Sequence, residues 1–427
     1  LLGGDSGGHL LADRIRSIWE PTLPKEDPPE RVVAVDGSLC VREYGGGISV
    51  VYARAVAVSF SDGAEEVRAR VCDVVPSTGP PSDVKDLASR VMEHLEHLAA
   101  LSALPDDGGV LLLDGSLFSR YSSAAFNFPR RGALAVDYAL TLGRLLREAR
   151  SRGVSILAVA KSSRASPLVE LLLQEAFTDL MKRLASIIPP TELNPLEVAW
   201  RSSPVDPEEG VSLAVKLASN HPEASEELSL AARLFLERHR RTADVDAIAR
   251  SVGGLGRTPP LLAGPYTHPV RAQLESLRLN PERVVRECCS GPGAEMIMRG
   301  ENPREFKRRA SRAVDEVLRL PAPVTVYARF DERDGPLKLE FPCWELGLNL
   351  PWSEAGPRLL GAGADRPVSI ARAGYAGPRR HNVWLEEADR RVKLRRDVVD
   401  RVYEKLMWRE LGEVVPHARG ERRVLGI

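Results

Sequence analysis

The run VVAVDGSLCV (Val32–Val41) is apolar up to an Asp-Gly-Ser-Leu, and VLLLDGSLFS (Val110–Ser119) repeats that design. Unbroken apolar runs of this length, bounded by turn residues, predict central strands buried on both faces. Between them, GISVVYARAVAVSF (Gly47–Phe60) is β-branched and partly alternating. Ser61-Asp62-Gly63 signals a turn, and EEVRARVCDVV (Glu65–Val75) alternates beyond it, so the opening strands form an antiparallel meander. A helix is expected from about Asp83 to Leu104, capped by Ser82 and stopped by Pro105-Asp106-Asp107-Gly108. The strand Val110–Asp114 follows, then a helix over Gly132–Arg150, a buried strand over Val154–Lys161, and a helix over Pro167–Ser186 capped by Ser166.

This β-β-β-α-β-α-β-α order predicts a ribonuclease-H-like α/β fold, with a mixed sheet in which the first strand is central and the fourth lies parallel beside it. Residues 1–30 read as an arm: an amphipathic stretch, Leu10–Trp19, is ended by the Pro-rich EPTLPKEDPPE. Residues 31–186 and 321–412 are expected to form the core. Residues 187–320 read as a mainly helical insertion broken by clusters such as Gly253–Pro265, and 413–427 as a tail. Strands are expected at Val324–Phe330, Leu337–Pro342 and Val368–Arg372, and closing helices at about Pro378–Leu394 and Arg396–Leu411.

Composition adds mostly exclusions. At 427 residues the chain can bury a large core. No apolar run is long enough to span a bilayer, and no signal peptide is read, so a membrane role is not expected. The five cysteines form no CxxC pair, which argues against structural zinc or a disulfide framework and for a reducing, cytoplasmic compartment. Net formal charge is zero. The basic residues are mostly Arg, whose planar fork suits phosphate. There is no GxxxxGK[ST], so no P-loop motor is encoded.

The predicted fold gives the repeated Asp-Gly a purpose. On neighbouring strands, at ends where the chain leaves the sheet, the carboxylates of Asp36 and Asp114 converge. Like charges at that spacing repel, and hard oxygen ligands resolve the conflict by holding Mn²⁺ or Mg²⁺. Two such ions can activate a water and stabilise a leaving oxygen in phosphodiester hydrolysis. A third acid is expected from the intervening helix. Glu96 sits at the margin of the apolar stripe and is preferred; Glu93, nearly opposite, is the alternative, since a one-residue phase error exchanges them. His381 is a candidate metal ligand or proton carrier. Lys161, at a strand end, suits a phosphate, and Tyr375 suits a base or phosphate. Arg130-Arg131 and Arg379-Arg380 are candidate DNA-binding pairs.

The segments AVDGS (Ala34–Ser38), LLDGSL (Leu112–Leu117), AVAKSS (Ala158–Ser163), YARF…LEFP (Tyr327–Pro342) and GY…H (Gly374–His381) together resemble the NurA nuclease family. The resemblance implies a homodimeric, Mn²⁺-preferring DNA-end-processing nuclease of archaeal type. It would work with the hexameric HerA helicase in double-strand-break resection, as a 5′–3′ exonuclease and single-strand endonuclease. It maps the family's acids onto Asp36 and Asp114, its helix Glu onto Glu96 or Glu93, and its Tyr and His onto Tyr375 and His381. Here the Tyr–His spacing is shorter than the family's GYP…AH, and Arg380 stands where the family has Ala. Two other readings compete: a non-catalytic DNA-end scaffold, and an actin- or sugar-kinase-like ATPase, which would need a Gly-rich nucleotide motif and a second copy of the fold.

Overall fold

The computed structural model describes residues 6–44, 47–61, 63–77, 80–126, 132–161, 163–265, 268–290, 302–405 and 409. Arg130, Arg131 and the expected 413–427 tail lie outside the described residues.

The chain begins with α1 (Ser6–Ile18), then β1 (Arg31–Tyr44), β2 (Ile48–Ser61), β3 (Ala64–Ser77), α2 (Pro81–Ala103), β4 (Val110–Asp114), α3 (Leu117–Phe126), α4 (Gly132–Ser151) and β5 (Ser155–Ala160). Helices α5 (Pro167–Leu184), α6 (Pro190–Ser202), α7 (Glu208–Asn220), α8 (Ser225–Arg240) and α9 (Asp244–Ser251) follow. Two short strands, β6 (Gly256–Arg257) and β7 (Leu261–Leu262), precede α10 (His268–Leu279), α11 (Pro281–Ser290) and α12 (Pro303–Arg319). The last elements are β8 (Pro323–Arg329), β9 (Leu337–Pro342), β10 (Arg358–Leu359), α13 (Asp365–Ala373) and α14 (Val383–Val392).

The strands form one mixed sheet in the order β10-β7-β8-β9-β5-β4-β1-β2-β3, with β6 on β8. As expected, β1 is antiparallel to β2 and parallel to β4, and β4 is parallel to β5; β1 is an interior strand, third from the β3 edge, because β9, β8, β7 and β10 extend the sheet beyond β5. Strand alternation splits β1 between two cores. Val33 and Val35 pack on the face covered by α2, α3, α4 and α10–α12. Val32 and Ala34 pack on the opposite face, beneath α13 and α14. A third core joins α1 to α5–α9, so the N-terminal arm clasps its own chain. Trp19 Nε1 donates to the Leu255 carbonyl there, at 3.2 Å.

Four expectations need correction. Val368–Arg372 lies in helix α13, not a strand: Asp365 and Pro367 occupy its first turn, and burial of every residue from Pro367 to Ala371 produced a continuous run that periodicity cannot classify. The cluster Gly253–Pro265 contributes β6 and β7 to the sheet instead of only breaking helices. The closing helix starts at Val383, where Asn382 Oδ1 accepts from Leu385 N, and the next helix is one α-turn followed by a π-turn over Val399–Tyr403. Finally, Asp36 does not end its strand. β1 runs on to Tyr44, paired with β2 throughout from Arg31↔Ser61 to Tyr44↔Ile48.

Candidate active site

The two Asp-Gly-Ser motifs use the same residues differently. Parallel pairing runs from Val32↔Val110 to Val35↔Leu113, so Asp36 and Asp114 are the next residues on adjacent strands. After Asp114 the chain turns out through Gly115, whose φ of +91° favours glycine, and Ser116 Oγ caps α3 by accepting from Ser119 N at 3.2 Å. In β1, by contrast, the strand passes straight through. Gly37 clears space: a Cβ there would lie 2.3 Å from Glu96 Oε1 and 2.6 Å from Met92 Cγ. Glu96 thus leans from α2 across a side-chain-free point of β1, beside Asp36. Ser38 Oγ accepts from Leu394 N at 3.0 Å, tying the end of the α14 segment to the same strand.

Asp36, Glu93, Glu96 and Asp114 line one cavity of about 670 Å³, with α3 on one wall and exposed Lys161 and Arg164 on another. Asp36 is 7% exposed. Burial, then the charges of Asp114 and Glu96, push its carboxyl up to about 8; the Gly37 N–H, 2.8 Å away, opposes this. Burial also raises Glu96, against the opposing charge of Arg120. Arg120 Nη2 donates to Glu96 Oε2 at 2.6 Å. Glu93, also at the cavity wall, is engaged by its neighbours, accepting from Arg90 at 2.7 Å and from the Tyr138 hydroxyl at 2.8 Å. Among the described residues no three His, Cys, Asp or Glu are gathered as a ready ligand set. What the fold assembles is an Asp pair with Glu96 alongside, held by an arginine.

His381 and Tyr375 come together on an acid that sequence reasoning missed. Tyr375 OH donates to Asp334 Oδ2 at 2.9 Å, and His381 Nδ1 lies 3.1 Å from the same oxygen without hydrogen-bond alignment. In the sequence Asp334 reads only as part of the β8–β9 turn. Because β9 pairs antiparallel with β5, through Ala160↔Lys338, that turn leaves the sheet at the edge where β5 ends and the cavity opens. Neither His381 nor Tyr375 lines the cavity itself. Arg379 and Arg380 are exposed nearby in sequence, and Arg380 pairs with Glu386 at 3.3 Å.

A profile of the NurA domain matches residues 30–394. The chain belongs to the NurA family. Membership makes it a nuclease. The fold is similar to that of the NurA nuclease from Sulfolobus solfataricus, at 11% identity and TM-score 0.50, covering 96% of this chain and 94% of that one. Two further NurA crystal structures cover this chain at lower TM-scores. One, with manganese, has 13% identity, TM-score 0.37, and coverage of 95% of this chain and 94% of that one. The other, bound to dAMP and manganese, has 14% identity, TM-score 0.36, and coverage of 92% of each chain. No curated protein matches the chain in sequence. No helix among the described residues is long and apolar enough to cross a membrane.

A second feature of this NurA chain was hidden from sequence reasoning. Lys338 and Glu340 stand two apart on β9, hence on one face, and form an ion pair at 2.6 Å with both side chains 1% exposed. Glu340 Oε2 also accepts from Ser116 Oγ at 2.6 Å and from Phe118 N at 3.2 Å, so the pair braces the turn that follows Asp114. The signal was present in LKLEFP, an apolar strand carrying opposite charges at alternate positions.

Proposed function

We propose that this NurA chain is a divalent-metal-dependent deoxyribonuclease, acting as a 5′–3′ exonuclease and single-strand endonuclease at DNA ends. The supporting observation is the Asp36–Asp114 juxtaposition, with Asp36 driven up to about 8 by burial and neighbouring carboxylates. Such a pair is unfavourable unless a proton or cation joins it, and its all-oxygen donors suit Mn²⁺ or Mg²⁺ over softer ions. The run β3-β2-β1-β4-β5, antiparallel up to β1 and parallel from β1 to β5, supports a ribonuclease-H-like core.

In this reading Asp36 and Asp114 hold up to two ions, with Glu96 completing the set. Bound there, divalent cations supply an activated water and stabilise the leaving oxygen. The chain's own residues do the rest. Lys161 and Arg164 meet phosphate at the cavity wall, and Arg379 and Arg380 extend the basic surface. Asp334 accepts from the Tyr375 hydroxyl and lies beside the His381 ring at the same end of the sheet, where His381 can hold or pass a proton. Resection of DNA ends with a HerA-type helicase, as a homodimer, is the role that the NurA family implies for this chain.

The test is cleavage of end-labelled single- and double-stranded DNA with Mn²⁺, Mg²⁺ or EDTA, comparing wild type with Asp114→Ala. Metal-dependent cleavage that disappears in the variant, with the position of the label giving 5′–3′ polarity, is expected. DNA binding without cleavage in any metal would instead favour a scaffold.

A further inference from the structure

We propose that Arg120 is a positioning residue for the metal site, setting the spacing between the helix acid and the strand acids. This inference rests on the metal-nuclease reading above. Arg120 lies on α3, one turn beyond the Asp-Gly-Ser motif, and is 3% exposed. Its Nη2 donates twice, to Glu96 Oε2 at 2.6 Å and to the Asp114 carbonyl oxygen at 2.8 Å. Its Nη1 lies 3.1 Å from His97 Nε2. Arginine only donates, so His97 presents the tautomer whose Nε2 accepts. One rigid, planar fork therefore grips α2 at two successive residues and the C-terminal end of β4 at a third.

The geometry matters because of where the gripped groups lead. Glu96 Oε2 is bound to Arg120, while Oε1 lies over Gly37, next to Asp36. The Asp114 carbonyl belongs to the residue whose side chain would be the other ligand. Arg120 thus connects both proposed acids without entering the proposed ligand set. Groups that orient metal ligands in this way tune affinity, and their loss typically weakens metal binding about 10–100-fold. A lysine would keep the buried charge but not the fork, so it could not hold Glu96 and the Asp114 carbonyl in the same relation.

The experiment measures Mn²⁺ affinity of the full chain, without DNA, by calorimetry and by electron paramagnetic resonance, with melting curves alongside. Wild type and Asp36→Asn come first: absence of Asp36-dependent Mn²⁺ binding in wild type would sink the metal-nuclease reading itself. With that binding established, Arg120→Lys is expected to fold and melt near wild type yet bind Mn²⁺ about 10–100-fold more weakly, and Arg120→Met to bind at least as weakly as Arg120→Lys. Arg120→Lys with wild-type affinity overturns the proposal, whatever Arg120→Met does. Failure of Arg120→Lys to fold also overturns it, since that would make Arg120 a structural residue.

Discussion

Replacing Asp36 by asparagine should stabilise the metal-free protein while destroying its nuclease activity. The carboxyl has an ordinary value of 3.8 and is pushed up to about 8 in the fold, chiefly by burial and then by Asp114 and Glu96. Below 3.8 it is protonated in both folded and unfolded chains, and its ionisation costs the fold nothing. Between 3.8 and about 8 the unfolded chain has lost the proton while the folded chain keeps it, so stability falls with every unit of rising pH. Above about 8 both states are ionised and the loss is constant. Each unit is worth about 1.4 kcal/mol, so the penalty at pH 7 is on the order of 4 kcal/mol. The amide of the Asp36→Asn variant is neutral throughout and escapes it. Denaturant midpoints of wild type and Asp36→Asn, measured in EDTA from about pH 4 to about pH 9, should diverge as pH rises and run parallel above about pH 8. Added Mn²⁺ should then narrow the gap by stabilising wild type alone. Parallel stabilities across the whole range would refute the argument that Asp36 is a buried, repelled carboxyl.

Two further perturbations probe the surroundings. Gly37→Ala would thrust a methyl group against Glu96 Oε1 and Met92 Cγ; it should cost about 1–3 kcal/mol and reduce cleavage by displacing Glu96, read from melting and nuclease assays. Lys338→Met would leave the Glu340 carboxylate buried without its partner and should cost about 3–5 kcal/mol, whereas Lys338→Met/Glu340→Leu should cost less, a difference that denaturation midpoints would resolve.

The sheet core was largely legible because its strands announce themselves by composition. Val32–Val35 and Val110–Leu113 are buried on both faces and therefore apolar without interruption, and the meander over β2 and β3 carries its own turn signal. The neighbourhood of Asp36 and Asp114 followed from strand order alone. Helical phase favoured Glu96 over Glu93; in the structure both line the cavity, Glu96 against Gly37 and Glu93 bonded to Arg90 and Tyr138. What escaped was whatever depends on distant segments meeting. Asp334 reads as a turn residue until β8 and β9 bring it to Tyr375 and His381. Arg120 falls in a stretch the sequence left without an element, and its contacts exist only because the Leu117–Phe126 helix forms and α2 closes over it. The extent of β1 past Asp36 was hidden by its Gly-Ser, which resembles a turn, and α13 was hidden because complete burial erased the period that separates helix from strand.

The long β1–β2 hairpin carries a further consequence, for how the chain acquires its site during folding. Its ladder runs unbroken from Arg31↔Ser61 to Tyr44↔Ile48, and a bulge between β2 and β3 sets Ala57 opposite Ala69 but Val58 opposite Val67. If β1 slid by a single residue against β4, Gly37 would take the place of Asp36, and every side chain of β1 would exchange faces. Such a misfolded chain could keep most of its backbone hydrogen bonds and still lack an acid pair. Registry errors between β1 and β4 would thus yield molecules that look folded by circular dichroism and are catalytically silent, making the fraction of active sites a sensitive readout of folding fidelity.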